Sequence, residues 1–244
     1  MPKYCFGKTP KRSDYRTLSW KDFTTPALPS PPPSCSVLSR VLGNLKAKAT
    51  TLFPMDGNDQ YGDCTIAARA HAVTVFEGLD GKRVIFPASA VDGLYFQLTG
   101  GQDTGLDELT VLNFWRKNLV GNHLLAFVSI NPSNHEHVQQ AIQLFDGLYL
   151  GFQVQANCIA EFDARQPWTP GTLTDDGHAV FATDYTPDGG TCLTWGNTQQ
   201  FTWPWWDECV DECYALLPME AASPGFCPGF DVAKLQAALP AVTD

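Results

Sequence analysis

The spacing of apolar positions divides the chain into two unlike halves. Ile66, Ala67, Ala70, Val73 and Phe76 recur at helical intervals. Asp63 precedes them as a suitable N-cap and Gly78 follows as a suitable stop, so a helix is predicted with Cys64 in its first turn. Val91, Leu94, Tyr95 and Leu98 share one face of a second helix predicted over 89–98, and a third is predicted over 106–119. After Gly121 the period changes. The run LLAFVSI is apolar, of strand length, and bounded by NPSN. Ser133 with Glu136 forms a capping-box pattern for a helix ending at Phe145, and Gly147 then releases LYLGFQV, where large and small residues alternate. The segments GHAVFATDY, TPDGG and TCLTW read as a β-hairpin that carries His178 near the start of its first strand. FTWPWWDECVDECYALL reads as a short capped helix entering a last strand.

The pattern therefore predicts an α+β chain, with a helical lobe over 51–122, an antiparallel β lobe over 123–218, and a tail with a short helix over 219–244. Residues 1–50 contain TTPALPSPPPS, whose prolines forbid regular ladders and favour an extended, polyproline-like arm. That arm is expected to wrap the body, either permanently or as a removable pro-segment. No internal repeat is present.

Composition narrows the partners. The 244 residues, 44% of them hydrophobic, suffice for a full core. The formal charge of −10, with no Lys/Arg-rich block beyond the first dozen positions, excludes a nucleic-acid footprint and an anionic membrane surface. No apolar run reaches spanning length and no apolar segment follows the charged N-terminus, so a cytoplasmic protein without a secretory signal is expected. The eight cysteines are too sparse for a disulfide scaffold. Cys209 and Cys213 lie close on one face of a helix, but no second pair or nearby His completes a metal site, so no metal and no cofactor are expected.

The chemistry centres on Cys64 and His178. A free thiol is a poor nucleophile until a helix N-terminus or an adjacent imidazolium stabilises its thiolate. Cys64 has the first by position, and His178 would supply the second. The alternatives are an inert core thiol and a histidine satisfied inside its sheet. Asp63 opposes the thiolate unless its side chain caps the helix and points away. His71, His123, His135 and His137 lack the strand setting of His178.

GNDQYGDC at the head of a helix, a helical lobe, then a sheet bearing GHAVFATDY resembles the papain-like cysteine peptidases. It is similar in particular to bacterial and phage-encoded members with a GNDxxGDC nucleophile loop, and the likeness spans roughly residues 50–217. The resemblance implies a two-lobe fold with the active site in the cleft between lobes, and a peptide or protein substrate bound there. It assigns Cys64 as nucleophile and His178 as acid and base. Where such enzymes carry an oxyanion-binding Gln, this sequence has Asn58, whose amide is one methylene shorter; Gln60 is the alternative donor, with the expected residue type at a different offset. LTWG matches the family's Asn-Ser-Trp-Gly stretch, but puts Leu193 where the imidazole-orienting Asn belongs. Thr194, on the strand face opposite Leu193, and Asn197, past Gly196 where a turn would return it, are possible orienting residues, and Trp195 either shields the histidine or fills the core. The implied activity is a thiol hydrolase of peptide or isopeptide bonds with an incomplete or variant triad. The alternatives are acyl transfer or amide hydrolysis on the same fold, and a catalytically silent binding or virion-associated protein. The oligomeric state is unknown at this level.

Overall fold

The structure, a computed structural model, describes residues 3–118, 124–219 and 228–242. The N-terminal segment is extended only in part. After its prolines come β1 (Cys35–Ser36) and α1 (Val37–Leu45), where Val37, Leu38 and Val41 bury one helical face and Lys46 ends the helix in a left-handed conformation. Proline content masked this helix, because its apolar spacing begins just after the last proline.

The first lobe is built on α2 (Cys64–Leu79), whose residues from Cys64 to Phe76 are all buried. Asp63 precedes it without making a side-chain cap, contrary to the capping role considered from sequence. Next come α3 (Ala88–Leu98) and α4 (Glu108–Lys117). The latter starts two residues later than the 106–119 spacing implied, because Asp107 Oδ1 accepts the Thr110 N–H at 3.0 Å and fixes the start there. Residue 119 lies outside the described residues. Asn44 of α1 donates to the Leu79 and Gly78 carbonyls at 2.8 and 3.3 Å, satisfying the open end of α2.

The second lobe contains β2 (Leu124–Ile130), α5 (His135–Phe145), β3 (Leu148–Gln155), α6 (Cys158–Asp163), β4 (Leu173–Thr186), β5 (Gly189–Thr194), β6 (Asn197–Thr202), α7 (Trp203–Cys209) and β7 (Val210–Pro218). The cap of α5 is Asn134, which accepts the His137 N–H at 3.1 Å, in place of the Ser133/Glu136 box. Beyond the sheet lies α8 (Val232–Ala238). Among the described residues the strands form one antiparallel sheet in the order β2-β7-β3-β4-β5-β6, with β1 also pairing with β4. The result is the α+β arrangement of two lobes that the apolar pattern predicted.

Strand register positions the chemistry. Phe181 pairs with Leu193, and this face of the sheet meets α2, where Phe76 approaches Phe181 edge-on at 5.8 Å. The other face carries His178 paired with Phe152, which packs on Trp168 and Trp205 at 5.2 and 4.8 Å. His178 lies within β4, not near its start, because the strand begins at Leu173; the N-terminus of α2 meets β4 at this stretch, where the Ala179 amide faces Cys64.

The α1–α2 crossing leaves no room at Gly78, where an added Cβ would lie 2.7 Å from Val41 Cγ1. Gly78→Ala gains roughly 0.5–1 kcal/mol of helix propensity but forces an overpacking cost of roughly 1–3 kcal/mol onto a stiff valine. A net loss of about 1 kcal/mol is expected from urea unfolding midpoints. A stabilised variant would mean that the two helices do not pack this closely.

Candidate active site

Cys64 opens α2, and its first turn is braced from the other lobe by Tyr149, whose hydroxyl donates to the Thr65 carbonyl at 2.7 Å. The thiol is fully buried. Two nearby backbone amides, that of Ala179 after His178 and that of Gly7 in the N-terminal arm, favour its thiolate. His178 is also fully buried. Its Nε2 lies 2.8 Å from Thr194 Oγ1, and its Nδ1 has no hydrogen-bond partner among the described residues.

The indole of Trp195 stacks on the imidazole, with centroids 4.6 Å apart and planes at 27°. Trp195 reaches this place through a two-residue hairpin turn in which it and Gly196 both take positive φ, +46° and +74°. Such a backbone costs a bulky residue on the order of 1–3 kcal/mol. The surrounding rings hold it there: Tyr4 stacks on its other side at 4.6 Å, and Phe162 meets it edge-on at 5.0 Å.

The N-terminal arm runs through the cleft. Cys5 N–H donates to the Asn58 carbonyl at 2.6 Å, and Leu106 N–H donates to the Gly7 carbonyl at 2.9 Å. Lys8 N–H donates to the Gly177 carbonyl at 3.0 Å and Thr9 N–H to the Leu106 carbonyl at 3.1 Å. The arm is therefore tied by its backbone to both walls. Phe6 lies edge-on to His178 at 5.7 Å. Gly7 passes through a gap that admits no side chain, since a Cβ there would fall 1.8 Å from the Gly62 carbonyl oxygen. On the facing wall, a Cβ at Gly105 would fall 2.2 Å from the Gly7 oxygen.

Burial sets the charge states. It pushes the Cys64 thiol up to about 12, against the Ala179 amide and with help from the Asp63 carboxyl. It pushes His178 down to about 3, with a smaller contribution from His71. Both directions favour a neutral thiol and a neutral imidazole. Asp63 is itself pushed up to about 8, by burial first, against the Asn58 amide. It is therefore largely protonated at neutral pH, which weakens its opposition to the thiolate.

Asn58, proposed from sequence as oxyanion donor, is buried and donates from Nδ2 to Asp63 Oδ1. Gln60, the alternative donor, is exposed on the turn, where its N–H donates to the Gly57 carbonyl at 2.7 Å. Thr194, on the strand face opposite Leu193 and one of the candidate orienting residues, stands against His178. The Phe181/Leu193 register turns Leu193 into the core and Thr194 onto the histidine's face. Asn197 is turned elsewhere: its Oδ1 accepts the Thr198 N–H at 2.9 Å, and it lines a separate hollow with Phe162 and Gln166.

His71 Nε2 contacts the Pro54 carbonyl and Asp56 Oδ2, both at 3.1 Å, while His135 pairs with Asp207 at 2.6 Å. His137 packs near Trp20, and His123 lies outside the described residues. Cys209 ends α7 and Cys213 lies within β7, so the two do not share a helix face; their thiols donate to the carbonyls of Trp205 and Ile130. Cys227 lies outside the described residues. The arm residues Tyr4, Phe6, Gly7 and Lys8 were not singled out from sequence. No helix is long and apolar enough to cross a membrane among the described residues.

By sequence, no protein-family model and no curated protein matches this chain. By structure it is similar to xylellain, a cysteine protease from Xylella fastidiosa, with a TM-score of 0.68 at 13% identity over 88% of this chain and 96% of that one. It is also similar to proCathepsin B S9 from Trypanosoma congolense, with a TM-score of 0.57 at 12% identity over 88% of this chain and 87% of the other. A third likeness is to the cysteine protease and lectin-like domains of a surface layer associated protein of Clostridium difficile, with a TM-score of 0.55 at 12% identity over 83% of this chain and 56% of that one. The fold is papain-like, with two lobes and a cleft between them.

The gap at Gly7 supplies a test that leaves the body of the protein untouched. Gly7→Ala should displace the arm, and iodoacetamide at pH 7 should then label Cys64 at least about tenfold faster than in the parent chain, as quantified by peptide mass spectrometry. In the parent, the labelling rate should climb about tenfold per pH unit between pH 6 and 9 without a plateau, because the buried thiol titrates far above that range. Equal labelling of parent and variant would place the arm outside the cleft.

Proposed function

We propose that this chain is a thiol hydrolase of peptide or isopeptide bonds, held latent by its own N-terminal arm. The observation that carries the proposal is the arm itself: an extended peptide already lies across Cys64 and His178, with its main chain hydrogen-bonded to both walls. A cleft that holds peptide backbone in this way is suited to a peptide substrate. The cysteine proteases of similar fold agree with this substrate class.

In this reading His178 carries its proton on Nε2 and donates it to Thr194 Oγ1, 2.8 Å away, which leaves Nδ1 unprotonated and able to act as base. Once the arm leaves, Nδ1 takes the thiol proton; the Cys64 thiolate then bonds to the substrate carbonyl carbon, and the carbonyl oxygen becomes an oxyanion. The Cys64 N–H and the second hydrogen of Asn58 Nδ2 serve as its donors, the first Asn58 hydrogen being committed to Asp63. The imidazolium then protonates the leaving amine, the C–N bond breaks, and a thioester remains. Finally Nδ1 deprotonates a water, which attacks the thioester and frees the acid and the thiol.

The arm is not consumed, because it offers the sulfur an N–H rather than a carbonyl carbon. The Gly7 amide favours the thiolate, as a donor does, and a donor gives the nucleophile nothing to attack.

In the full-length Gly7→Ala chain, turnover of a mixed fluorogenic peptide library should appear, and Cys64→Ser should abolish it. Thr194→Val removes one hydrogen bond to the imidazole, of about 1–1.5 kcal/mol, and should lower kcat/KM by about tenfold. Asn58→Ala should lower kcat/KM by about 10²-fold while leaving the alkylation rate of Cys64 nearly unchanged. Product analysis with an added amine separates hydrolysis from acyl transfer. A fast-labelling Gly7→Ala chain that cleaves no peptide would instead identify a binding protein of the same fold.

A further inference from the structure

One wall of the cleft carries acids that the proposed chemistry does not use. Glu108, the first residue of α4, is fully buried, and neither of its carboxylate oxygens has a hydrogen-bond partner among the described residues. Glu212 of β7 is 2% exposed, and its Oε2 accepts from the Tyr214 hydroxyl at 2.7 Å. Asp211 stands beside it, exposed. Into this group the arm inserts Lys8, with its side chain 2% exposed and Nζ 3.0 Å from both Glu212 Oε1 and Asp211 Oδ2. The acids belong to the body of the protein, and the cation belongs to the arm.

The hollow for that side chain is shaped by Gly151 of β3. A Cβ at this position would lie 1.9 Å from Lys8 Cε and 2.7 Å from Glu108 Oε1. Gly151 pairs with Ala179 on one side and with Glu212 on the other. The hollow therefore opens next to the residue that follows His178, and its occupant is the chain neighbour of Gly7, which lies on the sulfur.

Physical chemistry then selects the occupant. Two carboxylates buried together are strongly unfavourable unless a cation compensates them or a proton neutralises them. Burial and the neighbouring Glu212 hold Glu108 well above the usual carboxylate range, while Lys8 acts against both. An apolar side chain in the hollow would leave the carboxylates uncompensated, and an acidic one would add repulsion. A long cationic side chain satisfies them, as Lys8 does.

We propose that this hollow is the specificity pocket of the active site, and that the substrates are peptides carrying Lys or Arg one residue away from the residue lying on Cys64. Glu212, Asp211 and Glu108 read the charge, and Gly151 leaves room for the aliphatic stem. Lys8 then holds the pocket closed by imitating the substrate side chain. The word substrate here rests on the thiol-hydrolase proposal, whereas the preference of the pocket for a cation does not.

The test uses the full-length Gly7→Ala chain and fluorogenic peptides that differ only in Lys, Arg, Leu or Glu at one of the positions flanking the scissile bond. At one position kcat/KM for Lys and Arg should exceed that for Leu by about 10²-fold, with Glu lowest. Adding Glu212→Gln should cut the Lys-to-Leu ratio by about tenfold or more. Ratios near one at every position, or a ratio that Glu212→Gln leaves untouched, would overturn the proposal and leave the acids as an anchor for the arm alone. If no peptide is cleaved, the hydrolase proposal fails separately, and thermal unfolding of the full chain decides on the pocket. Lys8→Met should then lower the melting temperature more than Lys8→Arg, and adding Glu212→Gln to Lys8→Met should recover part of the loss. A Lys8→Met chain as stable as the parent would overturn the pocket as well.

Discussion

The fit of one glycine over one sulfur governs the rest of this site. Gly7 runs through a gap in which a Cβ would fall 1.8 Å from the Gly62 oxygen, and its amide lies on Cys64. With that strand of backbone in place, water has no access to the thiol or the imidazole. The pair is left with a choice between two neutral groups and an ion pair in a dry medium. An ion pair gains Coulomb attraction, but desolvating two charges costs more unless every remaining donor and acceptor is satisfied. Both shifts resolve the competition in the same sense, the thiol pushed up and the imidazole pushed down by burial as the largest cause. In the proposed function, latency is a solvation state of Cys64 and His178 that ends when the arm leaves.

The fold supplies the fixed frame for this switch. Tyr149 ties the first turn of α2 to β3, and the Phe152/His178 and Gly151/Ala179 pairs fix where His178 of β4 sits relative to it. Trp195 covers the imidazole from a strained turn, with Tyr4 stacked on its outer face. Since Tyr4 belongs to the arm, departure of the arm exposes the indole as well as the sulfur. The buried acids around Lys8 work in the same direction, because the contact that stabilises the arm is one that a basic substrate side chain would replace.

Much of the frame was legible in the sequence because it rests on local signals. The 66–76 spacing located α2 and put Cys64 at its head, and GHAVFATDY located the strand that carries His178. Contacts that depend on register or on distant segments were not legible. Thr194 was one of three candidates to orient the histidine, because a strand exchanges faces with every one-residue change of register and only the Phe181/Leu193 pairing singles it out. Asp63 read as a helix cap, but its carboxyl turns to Asn58 in the tertiary structure. Lys8 and Glu212 lie 204 positions apart and meet only because the arm crosses the cleft. One signal was available: Glu212 alternates with Tyr214 and Leu216, so an acid stands at an inward position on a strand face otherwise carrying Tyr214 and Leu216.

The central claim concerns the protonation of His178, and nitrogen-15 NMR of labelled histidine measures it directly. In the full-length parent at pH 7, the His178 ring should show the nitrogen shifts of a neutral imidazole. In the Gly7→Ala chain at the same pH it should show an imidazolium paired with the Cys64 thiolate, and Cys64→Ser in that background should return it to neutral. An imidazolium in the parent, or a neutral ring in both chains, would contradict the account.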